Sequence, residues 1–392
     1  MAVSKKIKKM MESASWIRKM FEQGARLKEL HGPDKVCDFS LGNPNIEPPL
    51  SFTEALKEVA GREPGQHGYM PNAGYPHVRS KVAEFLCREQ KIKITGDHLV
   101  MTCGAGGAMN VALKAILDPG DRVLVNLPYF VEYRFYVDNH GGILDITPCR
   151  EDMDIDVELM EARITDRTAA VIVNSPNNPS GRVYPEETIR VLVEMLEHRS
   201  REIGRPIYLI SDEPYRKIVY DGIEVPSIFP LYKNSIIISS YSKDLSIPGE
   251  RIGWLAVNPE ADDADELVGG VILANRILGF VNAPALMQHI VARLQGECVD
   301  IEEYKRKRDK LCAILEEAGY KFLKPEGAFY LFPRAPGGDD VAFVNRLQKE
   351  LILTVPGSGF GMPGYFRIAY CVDDAVIERS REGFKRAIEA VG

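Results

Sequence analysis

The stretch IIISSYSKDLSIPGERIGW, residues 236–254, decides how this chain is read. It opens and closes on runs of apolar β-formers, so it predicts strand, turn and strand. Between the runs stands Lys243, beside Ser240 and Ser242, with Arg251 eight residues further on. A strand end that meets solvent carries a lysine for no special reason. Here the setting is more pointed. Ser240, Ser242 and Arg251 together can hold a phosphate, the arginine through its forked donors. A lysine partly withdrawn from water beside such charge binds its proton less tightly and becomes a nucleophile toward carbonyls.

Outward from that stretch, short β runs alternate with helical stretches between about Leu99 and Val257. The strand candidates are HLVMTC, RVLVNL, GILDITP, AAVIVNS, IYLISD, SIIISS and IGWLAV. Several are apolar on both faces, as strands covered by helices on either side must be. Helices are expected over Ala108–Leu117, before the LDPGD turn, and over Glu186–Arg199. The pattern predicts an α/β fold with a mostly parallel, seven-stranded sheet between helices.

After Pro284 the texture changes. One long helical region is expected over 283–319, then short strands in GAFYLF, ILTVPG and YFRIAYC, then an amphipathic helix over Asp373–Val391. These predict a large domain over 46–282 and a smaller α+β domain built from 1–45 with 283–392. The lack of a Gly/Ser linker implies a packed junction.

Composition excludes several classes. A net charge of -7 argues against nucleic acid, which demands a concentrated basic face. The basic cluster SKKIKKMMESASWIRKM, with Ile7, Met10, Met11 and Ile17 as apolar marks, predicts an amphipathic helix that is a solvated face or an arm on a partner subunit. No apolar run is long enough to span a bilayer, and no secretory signal is visible. The seven cysteines form no CxxC pair and the histidines show no metal-ligand spacing. They read as reduced thiols of a cytosolic protein without a bound metal.

In open α/β sheets ligands bind beyond the carboxyl ends of the strands, so the residues there carry the argument. After HLVMTC comes GAGGAMNVAL, a glycine-rich turn opening a helix. Its amides at Ala105, Gly106 and Gly107 favour an anion, although a tight turn alone explains the glycines. After RVLVNL comes Phe130, either a core aromatic or a stacking face for a flat ring. After AAVIVNS comes PNNPSG, where Asn178 either shapes a turn or donates to a ligand oxygen. Asp212 ends an apolar strand, where an unpaired carboxylate is costly, and Tyr215 follows within reach of the same place. Arg367 lies inside an apolar strand and calls for a carboxylate, from the protein or from a ligand.

Each signal alone is weak; their order and spacing are not. Asn178-Pro179-Ser180-Gly181, Asp212-x-x-Tyr215, Ser240-x-Ser242-Lys243, Arg251 and Arg367 follow in a sequence that resembles the class I/II aminotransferases of the fold-type I pyridoxal-phosphate enzymes. The resemblance spans about Leu41 to Tyr370. It implies that Lys243 forms the Schiff base with pyridoxal 5'-phosphate and that Asp212 pairs with the ring nitrogen. It implies that Asn178 and Tyr215 bond the ring hydroxyl, that Phe130 stacks on the ring, and that Ala105, Gly106, Ser240 and Arg251 form the phosphate cup, with Ser242 beside them in contact with the cofactor. Arg367 is similar to the arginine that grips the substrate α-carboxylate, and Gly42 to the glycine closing over the substrate. Tyr69 resembles the tyrosine that reaches the neighbouring subunit's phosphate, which implies a homodimer with shared active sites.

Two departures qualify the match. The cup reads Gly104-Ala105-Gly106, where many relatives place a hydroxyl or charged side chain. Arg276 stands near, but not in register with, the arginine by which aspartate-specific relatives hold a side-chain carboxylate. The expected activity is amino-group transfer between an L-α-amino acid and a 2-oxo acid. A carbon–sulfur β-lyase or cyclopropane-forming synthase of the same fold stays open as the alternative. A non-enzymatic cofactor sensor is disfavoured by the complete set of reactive residues and the lack of a DNA-binding segment.

Overall fold

The computed structural model of the chain describes residues 2–13, 15–61 and 67–391. Twelve strands occur among them. The first is β1 (Cys37–Asp38). Seven more form the main sheet: β2 (Leu99–Thr102), β3 (Arg122–Asn126), β4 (Ile143–Thr147), β5 (Thr168–Asn174), β6 (Tyr208–Asp212), β7 (Ser235–Ser240) and β8 (Gly253–Val257). Each falls within one of the seven apolar runs named above, except that β5 starts one residue earlier, at Thr168. The remaining strands are β9 (Tyr330–Leu331), β10 (Ile352–Leu353), β11 (Val355–Pro356) and β12 (Phe366–Ala369).

The main sheet has the order β2-β8-β7-β6-β5-β3-β4. All its pairings are parallel except those of β8, which runs antiparallel to both β2 and β7. That exception matters for the site. The turn after β7 leads straight back into β8, so Lys243 after one strand and Arg251 before the next stay at the same sheet edge. Of the interior strands, β5 and β8 are buried along their whole length and β3, β6 and β7 at all but one residue each, which explains their nearly continuous apolar runs.

Helices cover both faces. The one after β2 spans Gly104–Ile116 and begins in the glycine-rich turn, earlier than the expected Ala108. The helix Glu186–Ile203 outruns its expected end by a turn and stops at Gly204, in the left-handed conformation that favours glycine.

The long helical region expected over 283–319 is two helices, Ala285–Val291 and Ile301–Ala318. Gly296 between them has φ +93, and Asp300 caps the second helix by accepting from the Glu302 amide at 3.0 Å. Met287, Ile290 and Leu294 pack with Leu86 and Met101 in the core of the main sheet. Val299, Tyr304 and Leu311 pack in another core with Phe329, Phe366 and Phe384. The chain crosses between cores at about residues 295–299.

The second core is organised by the small sheet β11-β12-β9 and by the pair β1-β10, and closed by the helix Asp374–Glu389. The N-terminal stretch forms helices Lys5–Ser13 and Ser15–His31. Ile7 and Met11 are exposed, and Lys6 pairs with Asp138 at 2.7 Å. The side chain of Ile17 lies outside the described residues. No helix among the described residues is long and apolar enough to cross a membrane.

Candidate active site

The carboxyl ends of β2, β3, β5, β6 and β7 meet at one edge of the sheet, where the loops leaving them wall a cavity of about 330 Å³. Ala105, Gly106, Phe130, Asn178, Asp212 and Tyr215 line it. So do Ser240, Ser242, Lys243 and Arg251 from the β7–β8 turn, and Gly42 and Arg367 from the second core. Tyr69 does not. It is 95% exposed on its own chain. Arg276 is likewise exposed, in the last turn of the helix Ala264–Ile277.

Lys243 Nζ donates to the carbonyl oxygen of Gly42 at 2.9 Å and stands 5.4 Å from the centre of the Phe329 ring. Burial lowers its pKa to about 8. The nearby Arg367 and Arg251 push in the same direction, against Cys371. The backbone at Gly42 permits the contact because there is no side chain. A Cβ there would lie 2.1 Å from Tyr330 Oη.

Asp212 is buried at the end of β6. Its Oδ2 accepts from Tyr133 Oη at 2.5 Å, while its Oδ1 has no partner. No cation among the described residues pairs with it, although an unpaired carboxylate is costly at the end of an apolar strand. Burial therefore raises the carboxyl pKa to about 7, with Glu213 adding to the rise. An orphaned carboxylate oxygen aimed into a cavity suits a ligand that brings its own charged N–H.

Arg367 is buried and meets no carboxylate among the described residues. Its Nη1 donates to Asn178 Oδ1 at 3.1 Å and its Nη2 to the Ser40 carbonyl at 2.7 Å, while Nε has no partner. The rings of Tyr330 and Phe360 lie over the guanidinium, each 4.8 Å away. A structural ion pair, the ordinary reason to bury an arginine, is excluded here, which leaves a ligand carboxylate.

At the opposite end, the helix Gly104–Ile116 turns its first amides toward Ser240, Ser242 and Arg251. Gly104 has φ +70, and a Cβ on it would lie 2.8 Å from Arg251 Nη2. A Cβ on Gly106 would lie 3.0 Å from Tyr136 Oη. The cup is thus made of backbone, hydroxyls and one guanidinium, with side chains excluded by close approach. Arg251 itself sits at φ 50 and is fixed by donating from Nη1 to the Pro248 carbonyl at 2.9 Å.

Four contributors were not anticipated. Tyr133 bonds Asp212, Tyr136 lines the cup, Tyr330 accepts or donates at 2.8 Å with Tyr215 Oη, and Ser40 holds Arg367. Tyr133 and Tyr136 follow Phe130 at intervals of three, a spacing that puts them on one face of a helix start. Tyr330 had no local signal, because its neighbours in GAFYLF read as plain core.

Pyridoxal phosphate matches these groups in its chemistry. It carries an aldehyde, a ring nitrogen that takes a proton, and a phosphate. The amine, the unpartnered carboxylate oxygen and the glycine-lined cup stand ready for them in one cavity, and the residues fit.

The comparisons with known proteins agree. Residues 34–384 match the family model for aminotransferase class I and II. A probable aspartate aminotransferase of Methanocaldococcus jannaschii is 32% identical, with 90% of this chain and 93% of that protein covered. An aspartate/prephenate aminotransferase of Thermus thermophilus is 31% identical, over 91% of this chain and 92% of that protein. Among solved structures, an aminotransferase from Eubacterium rectale superposes with a TM-score of 0.97 at 41% identity, covering 100% of both chains.

Proposed function

The chain belongs to the class I and II aminotransferases, which use pyridoxal phosphate, and from that premise we propose how its own residues carry the reaction. The observation that bears most weight is the buried Arg367 without a carboxylate, in one cavity with an amine of lowered proton affinity.

Arg367 grips the α-carboxylate of the amino acid, with Asn178 and Ser40 holding the guanidinium in place. Lys243 holds the cofactor before the amino acid arrives. It would then be free to take the proton from the substrate Cα as a general base and deliver it, as a general acid, to the cofactor carbon that carried the aldehyde. Asp212 keeps a proton on the ring nitrogen, with Tyr133 fixing its carboxylate. Asn178 and Tyr215 would hold the ring hydroxyl, Phe130 would stack on the ring, and Ala105, Gly106, Ser240, Ser242 and Arg251 would hold the phosphate. When bound, the cofactor supplies the aldehyde that receives the amino group and a ring that accepts the electron pair released at Cα. Gly42 closes over the substrate, and Tyr330 supports Tyr215.

Aspartate and prephenate figure in the names of the relatives. Lys243, Arg251 and Arg367 are the cations among the described residues lining this cavity. A second substrate carboxylate would therefore need a charge from outside it. We place that charge, and the Tyr69 hydroxyl, at the interface of a homodimer with shared active sites. The exposure of Tyr69, Leu273 and Ile277 supports the reading. We also divide the chain into a large unit over 46–282 and a small unit from 1–45 with 283–392, the helix Ala285–Val291 siding with the large core. A cytoplasmic location accords with seven free cysteines.

The test is a spectroscopic screen. Each of the common amino acids is added to the loaded enzyme without a 2-oxo acid, and conversion of the bound cofactor to its amine form is followed. Stoichiometric conversion with release of the matching 2-oxo acid is expected. Pyruvate and ammonia formed catalytically from cystathionine, with no such conversion, would overturn transamination in favour of elimination.

A further inference from the structure

Behind the cavity lies a second cluster of buried charge that the reaction does not use. Glu213 directly follows Asp212, and Asp244 directly follows Lys243. Glu213 leaves the end of β6 on the side away from Asp212, and Asp244 follows Lys243 within a turn that sends their side chains to different places. Asp212 and Lys243 line the cavity, whereas Glu213 and Asp244 line a separate small space with Glu89, Arg216 and Lys217.

Two consecutive cations answer these acids. Arg216 Nη1 lies 3.1 Å from Glu213 Oε2, and Arg216 Nε lies 3.3 Å from Glu89 Oε2. Lys217 Nζ lies 2.8 Å from Asp244 Oδ2. The Glu213 side chain is 1% exposed. Its other oxygen, Oε1, accepts from Ser211 Oγ at 2.7 Å. Asp244 Oδ1 accepts from the Leu245 amide at 3.0 Å, which fixes the turn just after the lysine. The crossing between the two cores is bound in as well. Lys217 Nζ donates to the Glu297 carbonyl at 3.1 Å, and the Val299 amide donates to the Asp244 carbonyl at 2.7 Å.

Stability is a weak reason to bury Glu213 and Asp244 and half-bury Glu89, Arg216 and Lys217 around them, since well-packed apolar side chains do that task as well or better. What the ion pairs add is fixed geometry. The segment 213–217 carries Tyr215 into the cavity and Arg216 and Lys217 behind it. One short turn therefore touches the backbone after Asp212, the backbone after Lys243 and the crossing at 297–299.

We propose that Arg216 and Lys217 are positioning residues, a two-cation clamp that holds the Asp212 and Lys243 backbones in register with each other and with the 297–299 crossing. The clamp sets how the Lys243 amine meets cofactor and substrate without touching either. This inference rests on the reading of Lys243 and Asp212 given above.

The test uses the loaded enzyme and the double variant K217M/D244N, which removes both charges together, with K217M alone and K217R as companions. K217M alone leaves an unpaired buried acid and is expected to lower the melting temperature. The double variant is expected to regain that temperature and to keep cofactor covalently attached. It should nonetheless lose about tenfold in kcat, with KM within about twofold of the parent, and bind cofactor several-fold more weakly. K217R should restore both. A double variant with parental kcat and cofactor affinity would show that the charges serve stability alone, and the clamp falls. Should the double variant not fold, D244N carries the same two measurements, and parental values there overturn the clamp equally. Covalent attachment surviving in Lys243→Ala would instead sink the underlying reading, and is recorded separately.

Discussion

Lys243 Nζ and the carbonyl oxygen of Gly42 lie 2.9 Å apart, although 201 positions separate them in the chain. The acceptor is neutral, and no carboxylate among the described residues pairs with the ammonium. Burial is therefore opposed only weakly, and the amine gives up its proton at about pH 8. In the cofactor-free protein, reaction of Lys243 with an amine-directed reagent should reach half its maximal rate near that pH, well below an ordinary lysine. Removing the Arg367 charge by Arg367→Leu should move the midpoint upward, because a neighbouring cation disfavours the ammonium. A midpoint near 10.5 in the parent protein would contradict the enclosed site.

Lys243→Ala should abolish the visible absorption of covalently held cofactor and lower turnover by at least about a thousandfold, since both the attachment point and the proton carrier are lost. Absorbance before and after borohydride reduction checks the first, and single-turnover kinetics the second. Retained turnover would refute the role.

Arg367→Lys should raise KM for the amino acid and cost about 10–100-fold in kcat/KM, because one ammonium cannot reproduce the two-pronged contact. The preference for an amino acid over its amine lacking the α-carboxylate should shrink by a similar factor, because the ammonium still attracts the carboxylate but holds it less firmly. Steady-state kinetics with such a pair is the measurement.

Asp212→Asn should reduce kcat far more than it weakens cofactor binding, since the amide cannot keep the ring nitrogen charged. The same change has a signature without cofactor. The carboxyl pKa rises from 3.8 to about 7 on folding, so the native state holds the proton more tightly. Its contribution to stability is full below about pH 4 and is lost as pH rises through about 7. The cofactor-free Asn variant should show a flatter stability profile across that window in urea melts.

Gly104→Ala should weaken cofactor binding about tenfold or more. The added Cβ meets Arg251 Nη2 at 2.8 Å, and the φ of +70 costs an alanine about 1–2 kcal/mol. Titration of the cofactor-free variant checks this, and unchanged affinity would mean that the turn relaxes freely.

Local pattern carried far in this chain. Burial on both faces made the central strands legible as unbroken apolar runs, and the strand-end rule pointed to Lys243, Asp212 and Arg251 before any coordinates. Long-range pairing was less accessible. Tyr330 is indistinguishable in sequence from its core neighbours, yet it bonds Tyr215 and stacks on Arg367. The break at Gly296 was masked by helix-forming residues on both sides, and its reason is the passage between two cores.

The order of strands, turns and reactive side chains follows from residue type and spacing, because periodicity and backbone preference act over a few neighbours. Whether a buried charge is answered by the protein or left for a ligand is decided only by what the folded chain brings alongside it. Among the described residues Asp212 meets only the Tyr133 hydroxyl, and Arg367, which called for a carboxylate from the protein or from a ligand, meets only neutral acceptors. Tyr69, named with the cofactor groups, stands outside the cavity of its own chain. Electrostatic pairing depends on distance through space, and residues far apart in sequence set it.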